Sequence, residues 1–115
     1  MFQTKDSGER QKYDSGMVRD LQDGKPRFDL ITPKGQAYAQ TMRYRHAMLM
    51  TRGMEKYGER NWENANSQEE LSRFRQSAIR HLEQWEAGED DEDHAAAVFF
   101  NITAYEWLKE KIKDE

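Results

Sequence analysis

Seven carboxylates fall within eleven residues: Glu83, Glu86, Glu89, Asp90, Asp91, Glu92 and Asp93. Like charges at this density repel one another and weaken a helix end. A hard divalent cation with oxygen ligands, such as Mg²⁺, relieves that repulsion. Glu83 and Glu86 stand three apart and share a helix face, Glu89 extends it, and Asp90 and Asp93 repeat the spacing. A solvated turn carrying helix-capping acids accounts for the same residues without chemistry.

The other reactive types are few. His81 stands one turn before Trp85, His94 opens the inner stripe of the last helical pattern, and His46 lies within the first. A lone histidine on an apolar face is more often a hydrogen-bonded core residue than a ligand. Asn101, two turns after His94, is a polar group at an inner position and must find partners. The basic set is Lys25, Arg27, Lys56, Arg60 and Arg80. A guanidinium pairs bidentately with phosphate. In Arg60-Asn61-Trp62 the indole offers a stacking face and the amide can read a base edge with donor and acceptor together. Core packing is the plainer reading of Trp62. The chain has no GxxxxGK[ST], GxGxxG, GxSxG or HExxH string and no cysteine, so phosphate loops, covalent serine or cysteine catalysis, disulfides and thiolate metal sites are excluded.

The elements that must position these groups read as helical. Thr32-Pro33 looks like a helix start, with Thr32 as N-cap. Ala39, Met42, His46, Leu49 and Gly53 then step by three and four, predicting a helix over 34–57, with Gly58 as its C-cap. Ser67-Gln68-Glu69-Glu70 is a capping box opening a second helix, striped by Leu71, Phe74, Ala78, His81 or Leu82, and Trp85, and ended by Gly88. A third helix begins within 90–93, with an inner stripe of His94, Ala97, Asn101, Ala104 and Leu108. A neighbouring stripe of Ala95, Val98, Ile102, Tyr105 and Ile112 widens the apolar face, which implies burial between partners. Residues 1–33 show no sustained period, and no segment alternates long enough to predict a strand. The fold class is therefore all-α: a bundle of about three main helices over 34–115, with an irregular N-terminal segment over 1–33 whose Lys25-Pro26-Arg27 loop is placed to contact phosphate. Self-association would complete the thin core of so short and polar a chain.

Of the 115 residues, 35% are charged and 36% hydrophobic, and the net charge is -4. Residues 1–62 hold 12 Lys/Arg against 8 Asp/Glu, whereas 63–115 hold 6 against 14. Duplex binders carry a basic excess, because phosphate neutralisation drives their affinity. A basic half facing an acidic half instead suits a small anion with a divalent cation. No stretch approaches the roughly 18 apolar residues of a membrane helix. Without a hydrophobic signal core at Met1–Arg10, a cytoplasmic protein without membrane or nucleic-acid partner is expected.

Four blocks together resemble a known family: Gly24-Lys25-Pro26-Arg27-Phe28-Asp29-Leu30-Ile31, Glu55-Lys56-Tyr57-Gly58-Glu59-Arg60-Asn61-Trp62-Glu63, Arg80-His81-Leu82 with Trp85, and Gly88-Glu89-Asp90. With His94 and Asn101 they are similar to the phage dATP/dGTP diphosphohydrolases, MazZ-like enzymes related to the MazG-like all-α NTP pyrophosphatases. The resemblance covers about 24–105. It implies cleavage of a purine deoxynucleoside triphosphate to monophosphate and pyrophosphate, Mg²⁺ or Mn²⁺ as cofactor, and a homo-oligomer, dimer or tetramer, in the host cytoplasm. By family position Glu55, Glu89 and Asp90 are the catalytic candidates. With Asp93 they form the metal set, and Lys25, Arg27, Lys56, Arg60, Asn61, Trp62, Arg80, His81, His94 and Asn101 are the substrate contacts. The chain departs from the family where Asp91, Glu92 and Asp93 lead directly to His94, and where Ala97 replaces a common second histidine. Two other functions compete: a non-catalytic helical adaptor docking its acids on a basic partner, and a nucleotide-binding module without turnover.

Overall fold

The computed structural model describes residues 2–113. The chain divides into two compact units, Met1–Ile31 and Thr32–Glu115.

The first unit holds a feature that the sequence pattern does not announce, a short antiparallel hairpin. Strand β1, Arg10–Lys12, pairs with β2, Val18–Asp20, in the register Arg10↔Asp20 and Lys12↔Val18. Both strands are almost wholly exposed, so no face is buried and no alternation marks them. Their connection closes through Tyr13 N–H to the Met17 carbonyl at 2.9 Å and Gly16 N–H to the Tyr13 carbonyl at 2.9 Å. Asp20 is the polar hub of the unit. It accepts from the Ser7 hydroxyl and from Lys25 Nζ at 3.2 Å, and these bonds, that of Ser7 foremost, hold its carboxyl down to about 2. A 3₁₀ turn, Phe28–Leu30, follows.

The second unit is helical. Helix α1 is Met42–Tyr57, α2 is Gln68–Glu86 and α3 is His94–Lys113. The expected start of α1 at residue 34 is wrong by two turns. Gly35 sits at a φ of 81°, which interrupts a right-handed helix, and a 3₁₀ turn, Tyr38–Gln40, intervenes. Thr41, not Thr32, is the cap: its Oγ1 accepts from Tyr44 N–H at 3.1 Å and donates to the Tyr38 carbonyl at 3.0 Å. At the other end Gly58, φ 96°, closes α1 with its N–H on the Met54 carbonyl. The capping box of α2 forms: Ser67 Oγ accepts from Glu70 N–H at 3.2 Å, and Glu70 Oε1 reaches back to Asn66 N–H at 2.9 Å. Asp93 caps α3, accepting from Ala96 N–H at 3.0 Å.

Helices α2 and α3 run antiparallel, since Leu71 at the start of α2 clusters with Leu108 near the end of α3 while His81 meets His94. The expected inner stripe of α3 is borne out in full: His94, Ala97, Asn101, Ala104 and Leu108 are all buried. Alanines at 96, 97 and 104 let the helices approach closely. Phe74, Tyr105, Trp107 and Ile112 pack around Leu71 and Leu108. On α2 the inward residue is His81 rather than Leu82. Helix α1 has no fully buried residue. Its bidentate pair from Arg45 to Asp93, Nε–Oδ2 2.8 Å and Nη2–Oδ1 2.7 Å, fastens it to the start of α3.

Candidate active site

The three helices leave a cleft of about 930 Å³ between them. Helix α1 lines it with one stripe, His46, Leu49, Met50, Gly53, Met54 and Tyr57, spaced at the helical period and about 16 Å long at 1.5 Å per residue. Phe74 of α2 and Phe100 of α3 supply aromatic wall, their rings 6.2 Å apart and nearly perpendicular.

One end of the cleft is built by the turn between α1 and α2. Gly58 reverses the chain, and Arg60 adopts a left-handed conformation, φ 56°, uncommon for a side chain of this size. The 3₁₀ turn Asn61–Asn64 follows. Lys111 of α3 holds it in place, donating to the Glu63 carbonyl at 3.2 Å and the Ala65 carbonyl at 2.8 Å, with its ammonium 4.9 Å from the Trp107 ring centre. Trp62 packs edge-on against Phe100 and Trp107, at 5.8 and 5.1 Å, and still lines the cleft. Arg60 is drawn to Glu63 at 3.1 Å. Arg73, from the second turn of α2, also lines the cleft. It makes no ion pair among the described residues, so its charge is available to an anion.

The cleft wall also carries His81, and behind it runs a hydrogen-bonded chain. His81 Nδ1 lies 2.9 Å from His94 Nδ1, and His94 Nε2 lies 2.8 Å from Asp91 Oδ1. The proton positions follow from the partners. A carboxylate only accepts, so His94 carries its proton on Nε2 and offers Nδ1 as acceptor. His81 then carries its proton on Nδ1, leaving Nε2 as acceptor, with Arg80 Nη2 3.4 Å away. His94 is almost wholly enclosed, at 2% exposure. Burial, reinforced by the Arg80 charge, pushes the His81 pKa below the ordinary histidine value, while the His94 bond lowers that of Asp91. The result is a neutral imidazole on the cleft wall, backed by a second imidazole and an anion. His46, on the α1 stripe, is likewise pushed down by burial and stacks edge-on against Phe99 at 4.7 Å.

Among the described residues, Glu89, Asp91 and His94 bring one ligand atom each within 4.8 Å of one another. The two carboxylates suit a hard cation such as Mg²⁺ or Mn²⁺. The His94 ring is already engaged on both nitrogens, so the donors that fit are Glu89 and Asp91. Asp93, expected among the metal ligands, instead has both oxygens on Arg45 and one also on the α3 N-terminus, and the Arg45 bond lowers its pKa. Glu55 and Asp90 are exposed and join no such group.

Of the expected substrate residues, Arg60, Asn61, Trp62, His81 and Asn101 line the cleft together. Asn101 anchors through Nδ2 to the Ala97 carbonyl at 2.8 Å. His94 stands behind His81 at Nδ1, and Arg80 reaches the other ring nitrogen, Nε2. Lys56 is exposed outside the lining. Lys25 and Arg27 belong to the N-terminal unit, where Lys25 pairs with Asp20 and Arg27 with Asp29 at 2.6 Å. The sequence reading passed over Arg45 and Arg73, and it named His46 and Asp91 without assigning either to the site. Asp91 was within reach, three residues before His94 and so able to meet its ring, whereas Arg45 and Asp93 are 48 residues apart and nothing in either neighbourhood announces the pair.

A cleft between helices with aromatic walls, charged groups of both signs and a histidine of perturbed pKa is the kind of place where a small-molecule site is built. The chain belongs to the dATP/dGTP diphosphohydrolase family: the family model described as "dATP/dGTP diphosphohydrolase, N-terminal" matches residues 15–115. No curated protein and no solved structure matches. No helix among the described residues is long and apolar enough to cross a membrane.

Proposed function

We propose that the protein hydrolyses purine deoxynucleoside triphosphates, dATP or dGTP, to the monophosphate and pyrophosphate, with Mg²⁺ or Mn²⁺ held by Glu89 and Asp91. The observation that supports this most is the chain Asp91–His94–His81, which delivers a neutral, proton-accepting imidazole to the wall of a cleft also lined by Arg60 and Arg73. Family membership is consistent with it.

The overall step adds water across the link between the α- and β-phosphorus atoms: one P–O bond forms, one breaks, and pyrophosphate departs. His81 Nε2 takes the proton of the attacking water. The His81 Nδ1 proton stays bonded to His94 Nδ1, and Asp91 behind His94 fixes that order, so the chain orients the His81 ring and steadies the imidazolium that forms. Arg73, and Arg60 once it leaves Glu63, offset the growing negative charge on the phosphates. Asn61 and Asn101 supply amides for a base edge, and the aromatic wall covers its face. Glu89 and Asp91 would hold a divalent cation, which would supply further neutralisation of the triphosphate and a more acidic water.

Self-association belongs to the same reading. Ile79, Leu82 and Ile102 are all at least 42% exposed on the outer face of α2 and α3. Arg75 and Glu106 border the groove among them, and a two-fold copy would set each against its opposite charge. The decisive experiment is product analysis with purified triphosphates, in the presence and absence of the cation.

A further inference from the structure

Six of the seven glycines adopt positive φ at turns or helix ends, where glycine is the favoured residue. Gly53 is the exception. It lies well inside α1, with no positive φ, where glycine destabilises a helix relative to alanine. The backbone therefore does not require it. Packing does not require it either, because a Cβ built there meets no atom within 4 Å. Gly53 is half-buried, and the open space beside it is the cleft. The missing side chain leaves room for a group outside the chain.

The surroundings say what that is. One turn away on either side are Leu49, Met50 and Tyr57, and the same cleft presents Trp62, Phe74 and Phe100. None of these six side chains is charged, whereas Arg60 and Arg73 of the same cleft suit the phosphates. A flat, apolar-faced, hydrogen-bond-edged ring finds both a face and, in Asn61 and Asn101, an edge. Resting on the function proposed above, we propose that Gly53 is where the α1 backbone approaches the nucleobase, and that the missing Cβ sets the thickness of the base slot.

The test compares wild type with Gly53→Ala and Gly53→Leu. Thermal unfolding is measured without ligand, and binding is measured by calorimetry with dGTP and, separately, with inorganic tripolyphosphate, each with Ca²⁺ to suppress turnover. The expected result has opposite signs: Gly53→Ala unfolds a few degrees higher, yet binds dGTP about 10-fold more weakly. Gly53→Leu loses more dGTP affinity, and tripolyphosphate affinity is unchanged in both variants. Unchanged dGTP affinity in Gly53→Ala overturns the inference, as does an equal loss for tripolyphosphate or a lower unfolding temperature. Wild type that binds neither compound would overturn the proposed function itself, a distinguishable result.

Discussion

His81 and His94 meet nitrogen to nitrogen, Nδ1 to Nδ1 at 2.9 Å, across the antiparallel pair α2 and α3. Thirteen residues separate them, and the tight turn after Gly88, φ 79°, brings their helices back together. Asp91 fixes the proton order from outside, and burial discourages a charge on His81.

Removing the inner imidazole therefore removes the proton acceptor. His81→Gln is expected to lower kcat about 100-fold or more, with far-UV circular dichroism unchanged. His94→Gln removes the partner that orients the ring and should cost less. Equal activity of His81→Gln and wild type would dismiss His81 as the base.

The pH profile carries a sign. His81 is active when unprotonated, and its pKa lies below the ordinary 6.5 because of burial and Arg80. The acidic limb of kcat/KM should then fall below pH 6.5. Arg80→Ala, which removes one cause of the depression, should move that limb upward. A limb that stays put in Arg80→Ala assigns it to another group.

Arg73 faces the cleft without an acidic ion-pair partner among the described residues. Arg73→Ala should weaken triphosphate binding about 10-fold, the scale of one charge-assisted hydrogen bond, while thermal stability stays within a degree or two. A large drop in stability would make Arg73 structural.

Asp93 ties α1 to α3 and caps α3. Asp93→Ala should destabilise by about 2 kcal/mol, combining a lost cap with a guanidinium left half-enclosed. Because the folded pKa of Asp93 is depressed, its contribution is present above the ordinary aspartate value near 3.9 and fades as pH falls through the lower folded value. Chemical denaturation of wild type and variant should converge in that acid range.

Much of the helical layer was legible. The i, i+3, i+4 stripes and the Ser67 capping box are local, and α3 buried the five residues its inner stripe named. Two local signals misled. Thr32-Pro33 looks like a helix start, but Gly35 two residues later turns left-handed and defers the helix to Thr41. The hairpin was invisible because β1 and β2 bury no face and so leave no pattern. The site was legible in part. Arg60, Asn61, Trp62, His81 and Asn101 could be named from their types, and they do line one cleft. Which acids stand near His94 depended on the turn after Gly88, and the Arg45 to Asp93 pair depended on tertiary packing that no local pattern encodes.

The core offers a check on the fold alone. Leu108 is the one large side chain fully buried among the described residues, and Leu108→Ala should cost about 3 kcal/mol. In a chain whose other large apolar groups are partly exposed, that is a substantial share of the total. Light scattering on Ile102→Lys tests the outer face of α2 and α3 independently: a wild-type dimer that becomes a monomer supports self-association there.

The most direct measurement is to incubate the purified protein with dATP and dGTP, with Mg²⁺ or Mn²⁺ and with chelator, and to resolve products by ion-exchange chromatography. Cation-dependent appearance of deoxynucleoside monophosphate and pyrophosphate in equal amounts is the predicted result. Intact triphosphate under every condition, or release of inorganic phosphate and diphosphate instead, would contradict it.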